Sequence, residues 1–232
     1  MSIKTACKAP EINAFFDHDS NTVSYVVTDL ATKKAAIIDS VLDFDYASGM
    51  ISYNHADLII DYVVSQNIDI EWLIETHVHA DHLSAAPYIQ QKLGGKIGIS
   101  DQITRVQTVF GKLFNAGTEF ERDGSQFDQL FADDDRYKIG ELDGVAIATP
   151  GHTPACMVHL IGDAVFVGDT LFMPDGGTAR ADFPGGDART LYQSIQKILA
   201  LPDETRMFVC HDYAPNGREF LWETTVGAQR AN

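Results

Sequence analysis

The segment Thr76-His77-Val78-His79-Ala80-Asp81-His82 constrains this chain more than any other feature. Three imidazoles and a carboxylate fall within six residues, directly after residues 70–75, an apolar run with strand composition. Imidazole and carboxylate are good ligands for zinc, iron and manganese. An extended chain sends alternate side chains to opposite sides, whereas a tight turn regathers them around one or two ions. A lone histidine is ordinarily a surface or core residue. The density of donors here is what turns the reading toward a metal. His77 and His79 can face one ion and Asp81 and His82 a second position.

The pattern recurs at three further strand ends. His152 follows residues 145–149 across Pro150-Gly151, Asp169 follows Val165-Phe166-Val167-Gly168, and His211 follows Phe208-Val209-Cys210. Asp169, with two oxygens, can bridge two ions or serve one. Strand ends on one edge of a sheet converge, and that edge is where such folds carry sites. Five of the eight histidines lie in these four places. His159 sits inside a strand and reads as structural; His18 and His55 read as surface residues.

Strands are expected at residues 23–28, 35–39, 70–75, 96–99, 145–149, 157–161, 164–167 and 207–210. Helices are expected at 55–66, at 84–93 with Ser84 as its cap and Gly94-Gly95 as its stop, and at 188–199. Residues 101–138 mix helical spacing with the acidic run Asp133-Asp134-Asp135 and read as helices and loops beside the sheet. Interspersed strands and helices give an α/β or α+β class with layered sheets.

Composition narrows the partners. The net charge of −16, from 33 acidic and 17 basic residues, repels nucleic acid and anionic membranes, so neither is expected. Three cysteines (Cys7, Cys156 and Cys210) are no disulfide framework, and Cys156 and Cys210 read as buried small hydrophobes. No run is long enough to span a bilayer, and the N-terminus lacks a long apolar signal core, so a cytoplasmic location is expected.

In order, the 76–82 segment, Pro150-Gly151-His152-Thr153, Gly168-Asp169-Thr170-Leu171-Phe172 and Cys210-His211-Asp212-Tyr213 resemble the motifs of the metallo-β-lactamase superfamily, over residues 20–220. The resemblance implies one domain over 1–232, with 101–138 as a helical and loop insertion. The fold it implies is an αββα sandwich of two mixed β-sheets flanked by helices, with metal at one edge. Within the superfamily the chain looks most like the persulfide (sulfur) dioxygenases. Ala80 stands where glyoxalase II typically carries Trp. Arg180-Ala181-Asp182-Phe183 is similar to the dioxygenases' Arg-Thr-Asp-Phe, departing at Ala181. The residues after His211 are too few for the helical C-terminal domain of glyoxalase II.

That resemblance implies one Fe(II) per chain on His77, His152 and Asp169. Glutathione persulfide and O2 would give sulfite and glutathione, with His79, Asp81, His82 and His211 around the ligands. Arg180 is the expected partner of a glutathione carboxylate, with an ion pair to Asp182 or Asp212 as its plainer reading. Tyr213 either reaches the substrate or packs beneath the site. The alternative is a glyoxalase II-like hydrolase of glutathione thioesters, or of lactones, with two Zn(II). His77, His79 and His152 would hold one zinc and Asp81, His82 and His211 the other, bridged by Asp169. Such relatives are often homo-oligomers, are sometimes linked to a sulfurtransferase, and often continue beyond the point where this chain stops.

Overall fold

In the β-branched run over residues 22–29, Val23, Tyr25 and Val27 enter one apolar cluster while Val26 enters another. A strand alternates its side chains, so this strand lies between two buried layers. The computed structural model describes residues 9–232; Cys7 lies outside them. Their elements run β1 (Glu11–Asp17), β2 (Thr22–Asp29), β3 (Lys34–Ile38), β4 (Val41–Asp45), β5 (Met50–Ser52), α1 (Asn54–Ser65), β6 (Asp69–Ile74), β7 (Leu83–Ser84), α2 (Ala86–Leu93), β8 (Lys96–Ser100), α3 (Ile103–Leu113), β9 (Gln129–Phe131), β10 (Arg136–Ile139), β11 (Leu142–Ala148), β12 (Met157–Ile161), β13 (Ala164–Phe166), α4 (Ala188–Leu199), β14 (Arg206–Phe208), β15 (Glu223–Thr225) and α5 (Val226–Arg230).

Two six-stranded sheets result. The first has the order β1-β2-β3-β6-β8-β9, antiparallel through β3 and parallel from there on. The second has the order β10-β11-β12-β13-β14-β15, with only β13 and β14 parallel. Between them lie Val23, Tyr25, Ile38 and Ile74 from one side and Ile139, Met157, Phe166 and Phe208 from the other. Helices α1 and α2 cover the outer face of the first sheet through Ile59, Val63 and Ile89. Helix α4 covers the second through Ile198, against Val165, Met207 and Val209. Four layers, αββα, therefore bury both faces of each sheet. Each buried Val or Ile contributes about 2 kcal/mol of transfer free energy.

Three expectations change. Residues 101–138 are not only helix and loop: after α3 the chain supplies β9 to the edge of the first sheet and β10 to the second. The acidic run obscured this, yet Phe131 and Ile139 are fully buried. Ser84 lies in β7, one residue before the N-cap Ala85 of α2, and its hydroxyl serves two partners: it accepts from the Ala86 N–H at the head of the helix (3.1 Å) and donates to Glu75 (2.6 Å). His55 is buried on the inner face of α1 rather than on the surface. His159 is fully buried, as a structural residue should be, with its Nδ1 2.9 Å from the Tyr137 hydroxyl.

Candidate metal centre

Strand ends of both sheets meet at one edge. β6 leads to His77, β11 to His152, β13 to Asp169 and β14 to His211. Backbone geometry supports each turn. Gly168 has φ +50°, and a Cβ there would lie 2.5 Å from Thr76 Oγ1, so only glycine lets the turn bearing Asp169 close on the strand bearing His77.

The Asp169 carboxylate is the hub. Its Oδ2 lies 3.6 Å from His77 Nε2 and 3.4 Å from His152 Nε2, and its Oδ1 lies 3.2 Å from His211 Nε2. His211 Nε2 is also 3.5 Å from Asp81 Oδ2. The donor atoms of His77, His152 and Asp169 all lie within 4.8 Å of one another, as do those of His79, Asp81 and His82, and those of Asp169, Cys210 and His211.

The other nitrogen of each ring fixes its proton. A carbonyl oxygen only accepts, so Nδ1–H donates from His82 to Leu83 O (3.0 Å), from His152 to Arg180 O (2.7 Å) and from His211 to Asn21 O (3.2 Å). The Thr76 hydroxyl donates to Asp39 Oδ2 (2.8 Å) and accepts from His77 Nδ1–H (3.0 Å). His79 Nε2–H donates to Asp39 Oδ1 (3.1 Å), with Glu75 Oε2 at 3.3 Å. The lone pairs left over point inward. His77 Nε2, His79 Nδ1, His82 Nε2 and Asp169 Oδ1 are buried without a hydrogen-bond donor or acceptor to satisfy them. Each such atom costs about 1–3 kcal/mol. A coordinated cation removes that cost at all four, so the residues present fit a metal, and the fixed outer nitrogens are the arrangement metal-binding imidazoles use.

Electrostatics agree. Burial alone would push the Asp169 carboxyl up, but His77 and His211 outweigh it and hold it well below the usual range. Burial, aided by His79, pushes His82 down to about 3, so it stays a neutral ligand. Burial also lowers His77. His79 goes the other way: burial opposes its charge, yet Asp39 and Glu75 raise it well above the ordinary value, so a metal taking Nδ1 would have to displace a proton there.

Arg180 and Tyr213 stand at the rim, lining a 320 Å³ pocket with Asp169, Phe172 and His211. The Arg180 guanidinium is exposed and grips Asp182 through Nε (2.5 Å) and Nη2 (2.7 Å). The Tyr213 ring is near-parallel to His211 at 6.0 Å, and the residue is exposed. Cys156 and Cys210 are buried. Asp39, Glu75 and Asn21 were not singled out from the sequence. Asp39 obeys the strand-end pattern, since it follows β3 on the same edge, and that signal reaches it.

The Metallo-beta-lactamase superfamily model matches residues 19–211. The chain belongs to that superfamily. A probable metallo-hydrolase of Burkholderia pseudomallei is 53% identical over 93% of this chain and 76% of its own length. A β-lactamase hydrolase-like protein of Xylella fastidiosa is 49% identical over 98% of this chain, which spans only about half (52%) of that protein. Glyoxylase B2 of Dictyostelium discoideum is 46% identical over 95% of this chain and 76% of its length. The mouse persulfide dioxygenase ETHE1 is 29% identical over 92% of this chain and 73% of its length. Among solved structures, ETHE1 from Myxococcus xanthus superposes with a TM-score of 0.73 at 28% identity, covering 95% of this chain and 81% of that one. This superfamily member thus carries the metallo-β-lactamase fold together with candidate His/Asp metal sites. Among the described residues, no helix is long and apolar enough to cross a membrane.

Proposed function

We propose that this superfamily member is a non-haem Fe(II) persulfide dioxygenase. One observation carries the reading: His77 gathers with His152 and Asp169, whereas His79 gathers with Asp81 and His82 and is tied through its other nitrogen to Asp39 and Glu75. Two imidazoles and a carboxylate on one face is the donor set suited to non-haem Fe(II) oxygenases. The similarity to ETHE1 in sequence and structure supports it. Held by His77, His152 and Asp169, Fe(II) would supply the redox chemistry that joins dioxygen to a substrate sulfur.

The reaction balances as R–S–SH + O2 + H2O → R–SH + sulfite + two protons, with glutathione persulfide as the first thiol to test. The protein's part is placement. The Arg180 carbonyl holds His152, and Thr76 holds His77, each with its lone pair toward Asp169. Phe183 and Phe172 set their ring edges or faces against His152 (5.2 Å) and His211 (6.0 Å), screening the centre from water. Iron-loaded protein should take up oxygen with glutathione persulfide and leave S-lactoylglutathione intact. Hydrolysis of that thioester without oxygen uptake refutes the reading.

A dinuclear zinc hydrolase has its own support. His79 Nδ1 and His82 Nε2 are buried and unsatisfied, Asp169 offers an oxygen to each side, and the Burkholderia and Xylella relatives carry hydrolase names. In that reading His77, His79, His152, Asp81, His82, His211 and Asp169 would together hold two Zn(II), which would supply an activated water for hydrolysis. Metal analysis separates the two: one iron per chain against two ions.

A further inference from the structure

A separate cavity of about 480 Å³ adjoins the metal centre, sharing His79, Ala80, His152 and Phe183 with it. That size is ordinary for a small-molecule site, which runs about 300–1,000 Å³. One stripe of α3 lines it with Ile103, Val106 and Phe110, at i, i+3 and i+7, and the segment after α3 adds Phe114, Phe120 and Phe127. Among the described residues no Asp, Glu, Lys or Arg lines it, and its two imidazoles, His79 and His152, belong to the metal centre. Its amides are spent on each other and on backbone: Gln107 Nε2 donates to Gln126 Oε1 (2.8 Å), Gln107 Oε1 accepts from Gly124 N (3.1 Å), and Gln126 Nε2 donates to Glu121 O (2.9 Å).

Phe114 and Phe120 are 74% and 39% exposed, so core packing does not explain them. Exposed aromatics rimming a cavity beside a reactive centre mark a place where an apolar group enters. Among the described residues, Arg180 is the one Arg or Lys lining the polar pocket that shares Phe183, and it is already gripped by Asp182. Glutathione carries two carboxylates, and a carboxylate moved against the wall of Ile103, Val106, Phe110, Phe114, Phe120 and Phe127 would lose its water with no partner on that wall to replace it.

We propose that this cavity binds the organic group of the substrate and selects an uncharged aliphatic or aromatic chain over glutathione. The persulfide chemistry rests on the preceding reading, but the preference of the cavity is a matter of binding and is measured without turnover. Metal-loaded protein is titrated calorimetrically, without oxygen, with propanethiol, butanethiol, pentanethiol, hexanethiol and glutathione. Affinity should rise about fourfold per methylene, while glutathione binds no tighter than propanethiol. Phe120→Asp, at a half-open position, should flatten the series with metal content unchanged. Phe110→Ala should weaken hexanethiol several-fold and propanethiol little, which keeps the test sound if the first variant folds poorly.

A flat series, glutathione as the tightest ligand, or a chain-length gain that both variants leave intact overturns the proposal. The two readings fail separately. A chain-length gain without oxygen uptake on hexyl persulfide removes the dioxygenase and keeps the cavity. Oxygen uptake on glutathione persulfide with a flat thiol series does the reverse.

Discussion

His79 presents its Nε2 to Asp39, 3.1 Å from Oδ1, while the same carboxylate accepts from the Thr76 backbone N–H and hydroxyl, each at 2.8 Å. Thr76 in turn holds His77. One buried acid thus sets the rings of two candidate ligands, His77 through Thr76 and His79 directly. Burial opposes its charge, yet His79 holds its carboxyl below the usual range, so it remains an acceptor. Asp39→Asn keeps the volume but turns one acceptor into a donor. Metal affinity should fall about 10- to 100-fold, read by competition with a chelator. Unchanged affinity would leave Asp39 a fold residue only.

Removing donors tests the centre directly. Asp169→Ala strips the hub that three imidazoles face and should yield protein without bound metal. His211→Ala should retain one iron if His77, His152 and Asp169 suffice, and should lose one of two ions if the centre is dinuclear. Metal analysis of both variants after identical loading gives the answer. Full metal content in Asp169→Ala would show that its carboxylate coordinates nothing.

The donor residues were legible because they stand in sequence order at the ends of apolar runs, and the folding of four strands to one edge needs no long-range guess. Residues 157–161 and 188–199 were read to the residue, and the structure adds the cap that starts the helix, Asp187 accepting from Thr190 N (2.7 Å). What stayed hidden depends on three-dimensional neighbours. Glu75 looks like the polar end of a strand and becomes informative only when His79 turns back on it. Asn21 contributes a carbonyl, which no side-chain pattern reveals. The cavity wall of α3 carries the period of an ordinary core helix, and only the exposure of Phe114 and Phe120 separates it from one.

His159 gives a pH signature away from the metal. Burial pushes its imidazole down to about 4 from the ordinary 6.5. Between those values the unfolded chain holds a proton that the folded chain excludes. Folding stability from this group is therefore complete above pH 6.5 and is lost as pH falls toward 4, by about 3 kcal/mol across the window. Urea unfolding with a chelator present should show wild-type protein losing more stability between pH 7 and pH 4.5 than His159→Gln. Equal losses would mean that the unfolded and folded chains protonate this residue alike.

The loop bearing His152 is clamped on α4, and a glycine is the clamp's close point. Ser194 Oγ donates to Pro150 O (2.7 Å), and the Asp187 N–H donates to Gly151 O (2.9 Å). Gly151 has φ +140°, and a Cβ there would sit 2.3 Å from the Leu191 Cα and N, helix backbone that cannot swing aside. Gly151→Ala should therefore cost about 3 kcal/mol of stability through overpacking and strain, and should weaken metal binding as His152 shifts from Asp169. Gly177, with φ +78° and nothing within 4 Å of its would-be Cβ, isolates the conformational part. Gly177→Ala should cost only about 1 kcal/mol and leave metal affinity intact. Denaturant unfolding with chelator competition on both variants checks the pair, and equal effects would mean that the approach of this loop to α4 is not what holds His152 in place.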